Sequence, residues 1–390
     1  MARPITRKVH SGVTAAVSYP KTASVSQAPH PVARLNPEAI RHYLRTLALT
    51  ENVLIHEQNY EQFLQEKGLT ELGHGGEGTV YFTRGHVVKV VNPGSAWASL
   101  REVAHMLHLN RIVAADGAMG ERSRIDWPTL LWVYVLSDGS LSIGMKPFDT
   151  VEGPVPGATF YDRLNFGPMM ERREIVSALK GLCSSLVYSH KRGVIHHDLK
   201  PANIYIPSGL NTPPIVFDLG QALWQQSSWG RRWLRHEHNN HYWYNGTYRY
   251  MHHLRRLAHI AALAKAQRAQ PSQTENDAFN RYVPSYYDDV MAFARILRDV
   301  VRSRYVRLSP KERQLLQRFY RRLMGLTHKG KPDHGPLMET GIWRRISSAL
   351  RTPIKPEPVR VTQIWDEWPT MERVEPELSH VLDEVLACVG

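Results

Sequence analysis

The sequence predicts an α+β fold, with a small antiparallel sheet carrying one helix followed by a larger, mainly helical region. Three observations point there. Between residues 70 and 150, short apolar runs alternate with glycine-containing turns. Beyond residue 160 the apolar residues recur three and four positions apart, the period of a helix face. With 390 residues, 42% hydrophobic and 22% charged, the composition excludes a disordered, collagen-like or disulfide-stapled chain.

The elements follow in order. Residues 1–36 hold five Lys/Arg, no acid and no apolar period, so a flexible, basic, Ser/Thr-rich tail is expected. The same composition also fits a transit peptide or a secretion signal. Residues 37–67 read as an N-terminal helical extension, with Ile40, Leu44, Leu47 and Leu49 on one face. In 68–150, strands at Thr79–Phe82 and Val87–Val91 flank Gly85, whose freedom at positive φ suits a tight hairpin. A helix over Ala96–Asn110 follows, then strands Leu130–Leu136 and Leu141–Met145 joined at Ser137-Asp138-Gly139. In 151–350, Ile175, Leu179, Leu182 and Leu186 make one core stripe, and Val290, Phe293, Ile296, Leu297 and Val300 another. A basic, Ala-rich insertion lies at about 255–282. The C-terminal extension, 351–390, begins Pro-rich and ends in a helix expected from Pro376 to Val389.

Cys183 and Cys388 are the only cysteines, too few for a disulfide framework or a Cys-based zinc site, and a reducing, cytoplasmic setting is expected. The longest apolar run, Leu130–Leu136, is seven residues, far below the length of a bilayer span. The formal net charge is +13 and unevenly placed. Residues 221–270 carry eight Lys/Arg against Glu237 alone, and residues 301–332 carry ten against Glu312 alone. Such blocks suit an acidic protein, an anionic lipid or a nucleic acid as partner, and equally a solubilising face.

Four stretches carry candidate chemistry. Gly73, Gly75 and Gly78 form a Gly-x-Gly-x-x-Gly between two strands. Without Cβ atoms, such a turn brings its amides close to phosphates, although glycine-rich hairpins are also common without any ligand. Lys89, on the returning strand, is either a solvated edge lysine or a point charge aimed at phosphate, with Glu102 on the next helix able to hold it. The run Gly193-Val194-Ile195-His196-His197-Asp198-Leu199-Lys200-Pro201-Ala202-Asn203 sets an acid, a cation and an amide in order. Phosphoryl transfer asks for a carboxylate at the attacking hydroxyl, positive charge at the γ-phosphate and oxygen ligands for Mg²⁺, and a plain polar loop does not explain that order. Asp218-Leu219-Gly220 adds a second acid suited to metal.

On these residues the chain resembles the eukaryotic-type (Hanks-type) Ser/Thr protein kinases over about 65–345, in divergent form. The resemblance implies a bilobal kinase fold, ATP and Mg²⁺ as cofactors and a protein substrate. It implies that Gly73, Gly75 and Gly78 cover the nucleotide and that Val80 packs on its adenine. It gives Lys89 to the α/β-phosphates with Glu102 as its partner, Asp198 to the substrate proton, Lys200 to the γ-phosphate, and Asn203 and Asp218 to the metal. Gly246-Thr247 with Tyr250-Met251 resembles the end of an activation segment, and Asp289 the acid that braces the catalytic loop.

The departures are informative. His196-His197-Asp198 lacks the family's arginine before the catalytic acid, implying activity that does not require activation-loop phosphorylation at residues such as Ser227, Ser228 or Thr247. Asp-Leu-Gly stands for Asp-Phe-Gly, and Met251-His252-His253-Leu254 occupies the place of Ala-Pro-Glu. The tail and the irregular activation segment also resemble kinases injected by bacterial pathogens or carried by large viruses, which would place the protein in a host cell. Three functions follow: an active protein Ser/Thr kinase, a small-molecule phosphotransferase of the aminoglycoside-kinase kind, and an inactive kinase-fold scaffold for acidic partners. The complete set of reacting residues favours the first.

Overall fold

The computed structural model describes residues 69–75, 78–83, 86–92, 96–117, 127–136, 140–148, 157–207, 213–224, 286–323 and 371–388, with short pieces at 44, 53–55, 65, 261, 264, 270–273 and 276. The fold is α+β. Six strands, β1 (Val53–Ile55), β2 (Thr70–Gly75), β3 (Gly78–Thr83), β4 (His86–Val91), β5 (Leu130–Val135) and β6 (Leu141–Met145), form a sheet in the order β1-β5-β6-β4-β3-β2. All neighbours are antiparallel except β1, which pairs parallel with β5, Val53 opposite Val133. The four strands expected from period and turns are therefore present within a residue or two.

Two expectations are corrected. Val53-Leu54-Ile55 lies in the stretch read as helical, yet it forms an edge strand, because three apolar residues rich in β-branching fit a pleated surface against β5. Leu44, in that same stretch, is helical and fully buried. The last helix starts at Met371, not Pro376, because Met371 and Val374 extend the buried stripe upstream. The basic tail, the insertion apart from a few residues, and the Pro-rich 353–370 segment lie outside the described residues.

The remaining elements are helix α1 (Ala96–Gly117), strand β7 (Ala158–Thr159), helices α2 (Phe160–Asn165) and α3 (Arg172–Lys191), and strands β8 (Val194–Ile195), β9 (Ile204–Ile206), β10 (Ile215–Val216) and β11 (Leu223–Trp224). Helices α4 (Tyr286–Arg302), α5 (Pro310–Leu323) and α6 (Met371–Ala387) follow among the described residues. Strands β7, β9 and β10 form a small antiparallel sheet with β9 central, and β8 pairs with β11. Both predicted stripes, on α3 and α4, are buried in one hydrophobic cluster that also takes in Val103 and Met106 of α1 and Val133 of β5.

Helix α6 shows what holds the helical part together. Met371, Val374, Leu378, Leu382 and Val385 are essentially unexposed and pack on α3 and α5. At about 1.5–3 kcal/mol per buried side chain, this stripe outweighs the about 3 kcal/mol that an interior proline such as Pro376 costs a helix. The rim pairs Lys180–Asp383 and Arg322–Glu377 are largely exposed and add little. Among the described residues, no helix is long and apolar enough to cross a membrane.

Candidate active site

The site is assembled from the sheet, the loop after β8 and the first turn of α4. On β4, Val88, Val90 and Val91 are buried on either side of Lys89, and Lys89 sits opposite Val80 in the β3–β4 register. Its Nζ donates to Glu102 Oε2 of α1 at 2.6 Å, with both side chains nearly removed from water. Breaking one partner of such a pair leaves an uncompensated buried charge, at a cost of about 3–5 kcal/mol. The edge-lysine reading of Lys89 is thereby excluded.

The glycines of the β2–β3 hairpin divide by role. Gly73 pairs with Val80, and Gly75 with Gly78. A Cβ on Gly78 would lie 2.3 Å from the Val90 carbonyl oxygen, so strand packing alone requires glycine there. A Cβ on Gly73 would meet nothing within 4 Å, so that backbone stands open.

The catalytic-type loop begins where α3 ends. Gly193 takes φ 76°, the left-handed turn that closes a helix, and its amide returns to the His190 carbonyl at 2.9 Å. After β8 the chain turns sharply. The Asp198 amide donates to the His196 carbonyl at 2.9 Å across His197, whose φ is 66°. A three-residue turn with positive φ at its centre is the rare, strained form of the γ-turn. Asp289, fully buried on α4, holds the turn: Oδ2 accepts the His196 amide at 2.8 Å and Oδ1 the His197 amide at 2.9 Å. The His190 ring donates to the same carboxylate at 3.0 Å. Tyr286, stacked near His190, has its hydroxyl pushed up to about 12, by burial first and then by the Asp289 charge.

His196 joins the two loops of the site. Its Nε2–H donates to the Phe217 carbonyl at 3.0 Å, which leaves Nδ1 to accept the Asp198 amide at 3.3 Å, so its partners fix one neutral tautomer. The Phe217 amide in turn donates to the Asn203 carbonyl at 3.0 Å, next to the β9–β10 pairing of Ile204 with Val216. Asp198 and Asp218 are thus carried on loops stitched together through His196 and Asn203.

Around Asp198, Lys200 Nζ donates to Oδ2 at 2.6 Å, and Asn203 Nδ2 reaches the Asp198 carbonyl at 3.0 Å and Oδ2 at 3.3 Å. With Nδ2 engaged, Asn203 Oδ1 is left as the acceptor for a cation. Asp218 has φ 65° and is half-buried, and among the described residues its carboxylate has no hydrogen-bond or ion-pair partner. Carboxylate and amide oxygens are the donors a hard cation such as Mg²⁺ takes, so the residues present fit that ion. Below this loop Leu219 is fully buried and its turn packs on α1, where burial pushes the His105 imidazole down to about 3. That desolvation exceeds the opposing effect of the Nδ1–H bond to the Arg101 carbonyl.

No family model matches the chain. Among curated proteins, the serine/threonine-protein kinase PknB of Mycobacterium leprae is 29% identical over 104 residues, 27% of this chain and 17% of that protein. PknB of Mycobacterium tuberculosis is 31% identical over 100 residues, 25% of this chain and 16% of its own length. The calcium-dependent protein kinase 5 of Plasmodium berghei is 24% identical over 182 residues, 46% of this chain and 30% of that protein. Over these stretches the chain is distantly similar to Ser/Thr protein kinases. It spans less than a third of the length of each of these relatives.

Sequence reasoning brought together Lys89 with Glu102, and Asp198 with Lys200 and Asn203, as the structure does. It passed over Asp288, His105 and the left-handed turn at His197. The doubled acid Asp288-Asp289 at the start of a helix was the available signal for the first. Ser227, Ser228, Gly246, Thr247, Tyr250 and Met251 lie outside the described residues.

Proposed function

We propose that the chain is an ATP- and Mg²⁺-dependent protein Ser/Thr kinase, which transfers the γ-phosphate of ATP to a Ser or Thr hydroxyl of a protein substrate, within a bilobal kinase arrangement. The observation that carries this reading is the convergence of Lys200 and Asn203 on the Asp198 carboxylate, on a loop stitched to Asp218. The buried Lys89–Glu102 pair supports it from the sheet side. Bound Mg²⁺·ATP supplies the phosphoryl group and the charge that neutralises it.

In this reading the chain's own groups divide the work. Asp198 accepts the hydroxyl proton and orients the nucleophile. Lys200, which pairs with Asp198 here, moves its charge to the transferring phosphoryl oxygens. Lys89, held by Glu102, grips the α/β-phosphates beneath Gly73, Gly75 and Gly78, and Val80 packs on the adenine. Asn203 Oδ1 and Asp218 ligate Mg²⁺. Titration calorimetry with ATP tests the binding half. Wild type should bind in the presence of Mg²⁺ and weaken on its removal, and Lys89→Ala, checked for folding, should lose most of the affinity. Folded wild type that binds no ATP with Mg²⁺ would refute the reading.

A further inference from the structure

The turn that carries Asp198 is strained, and strain of this kind persists only when its surroundings over-determine it. Asp289 holds the backbone of that turn through two amides. The His197 side chain occupies the place of the missing arginine. The neighbouring carboxylate faces it. Asp288 Oδ2 lies 4.0 Å from His197 Nε2, beyond hydrogen-bond reach and at the outer limit of an ion pair that forms when the ring is protonated, and both side chains are 1% exposed. Two successive acids on the first turn of α4 therefore face one residue, Asp289 bonded to its amide and Asp288 set against its ring.

We infer that His197 and Asp288 are a positioning pair, a built-in brace that fixes the γ-turn and so aims Asp198. The family arginine would need a phosphate supplied by modification. The His197 ring instead faces a carboxylate inside the fold, on a helix already committed to the loop through Asp289. The brace acts first on the orientation of Asp198 and of Lys200 bonded to it, whereas Lys89, Glu102 and the hairpin glycines lie on separate elements. Its catalytic half rests on the kinase reading above; its structural half does not.

The test compares wild type with His197→Gln, Asp288→Asn and the double variant, each under conditions where melting shows it folded. Two readouts are taken: steady-state transfer, and hydrogen exchange of the segment 194–200. Each single variant should lower kcat by about 10–100-fold, the scale of a misplaced catalytic group, with the KM for ATP unchanged. The double variant should lose no more than the worse single one, and exchange at residues 196–198 should quicken in all three. Losses that multiply, a kcat that is retained, or a rise in KM at constant kcat would overturn the inference. If Asp288→Asn does not fold, His197→Gln carries the same two readouts. If wild type itself transfers no phosphate, faster exchange in the variants keeps the brace while the kinase reading fails, and unchanged exchange overturns the brace.

Discussion

His105 makes the stability of the protein depend on pH in a direction and size that follow from its position. The ring is 7% exposed on α1, and its Nδ1–H donates to the Arg101 carbonyl at 2.7 Å. Burial lowers its pKa to about 3 from 6.5, and the Arg101 charge adds to the lowering. Between those values the unfolded chain binds a proton that the folded chain does not, so stability is present above about pH 6.5 and is lost as the pH falls toward 3. Integrating that proton difference from pH 7 to pH 5 gives a loss of about 2 kcal/mol from this one group. His108, shifted down mainly by burial, adds in the same direction. The assay is urea unfolding of wild type and His105→Asn at pH 7 and pH 5. The variant keeps a neutral amide donor near the Nδ1 position and should lose about 2 kcal/mol less than wild type over that interval. An equal loss in both proteins would refute the assignment of a buried, neutral His105.

Three further outcomes are expected. Gly78→Ala should destabilise by about 1–3 kcal/mol, because β4 must shift to admit the Cβ beside Val90, whereas Gly73→Ala should leave the melting temperature unchanged and raise the KM for ATP; thermal melts and kinetics separate the two. Leu382→Ala empties a fully buried position between α6 and the rest of the helical core and should cost about 2–5 kcal/mol in denaturant unfolding. Burial, reinforced by the Glu375 charge, pushes the Cys183 thiol far up, while Cys388 is partly exposed, so a thiol reagent should titrate one group in the native protein and both in denaturant.

Much of this fold is written locally. Strands β3 to β6 were legible because alternating or continuous apolar runs end at glycine turns, and α3 and α4 because their stripes are strongly periodic. Val53–Ile55 was not, since three residues carry too little period to oppose a helical neighbourhood, and only pairing with β5 makes them a strand. Proline suits the first turn of a helix, so local sequence points to a start at Pro376; the buried contacts of Met371 and Val374 set it upstream. At the site, residue type and order pointed to Lys89, Glu102, Asp198, Lys200, Asn203 and Asp218 because phosphoryl transfer would need those chemistries, and the structure brings Lys89 to Glu102 and Lys200 and Asn203 to Asp198. The left-handed turn at His197 is only weakly marked by residue type, since histidine visits positive φ more often than most residues yet does so at few of its positions. For Asp288 the doubled acid at a helix start is the one local signal, and its place against a loop some 90 positions upstream arises only in the fold.

The central claim stands on Asp198. Transfer of the γ-phosphate of ATP to a protein hydroxyl, measured for wild type and Asp198→Asn at equal ATP occupancy, tests it most directly. Asn keeps the size of the side chain and removes the base, so transfer should fall by about 10²–10⁴-fold with ATP binding intact. Equal transfer by the two proteins, or none by a wild type that binds ATP, would contradict it.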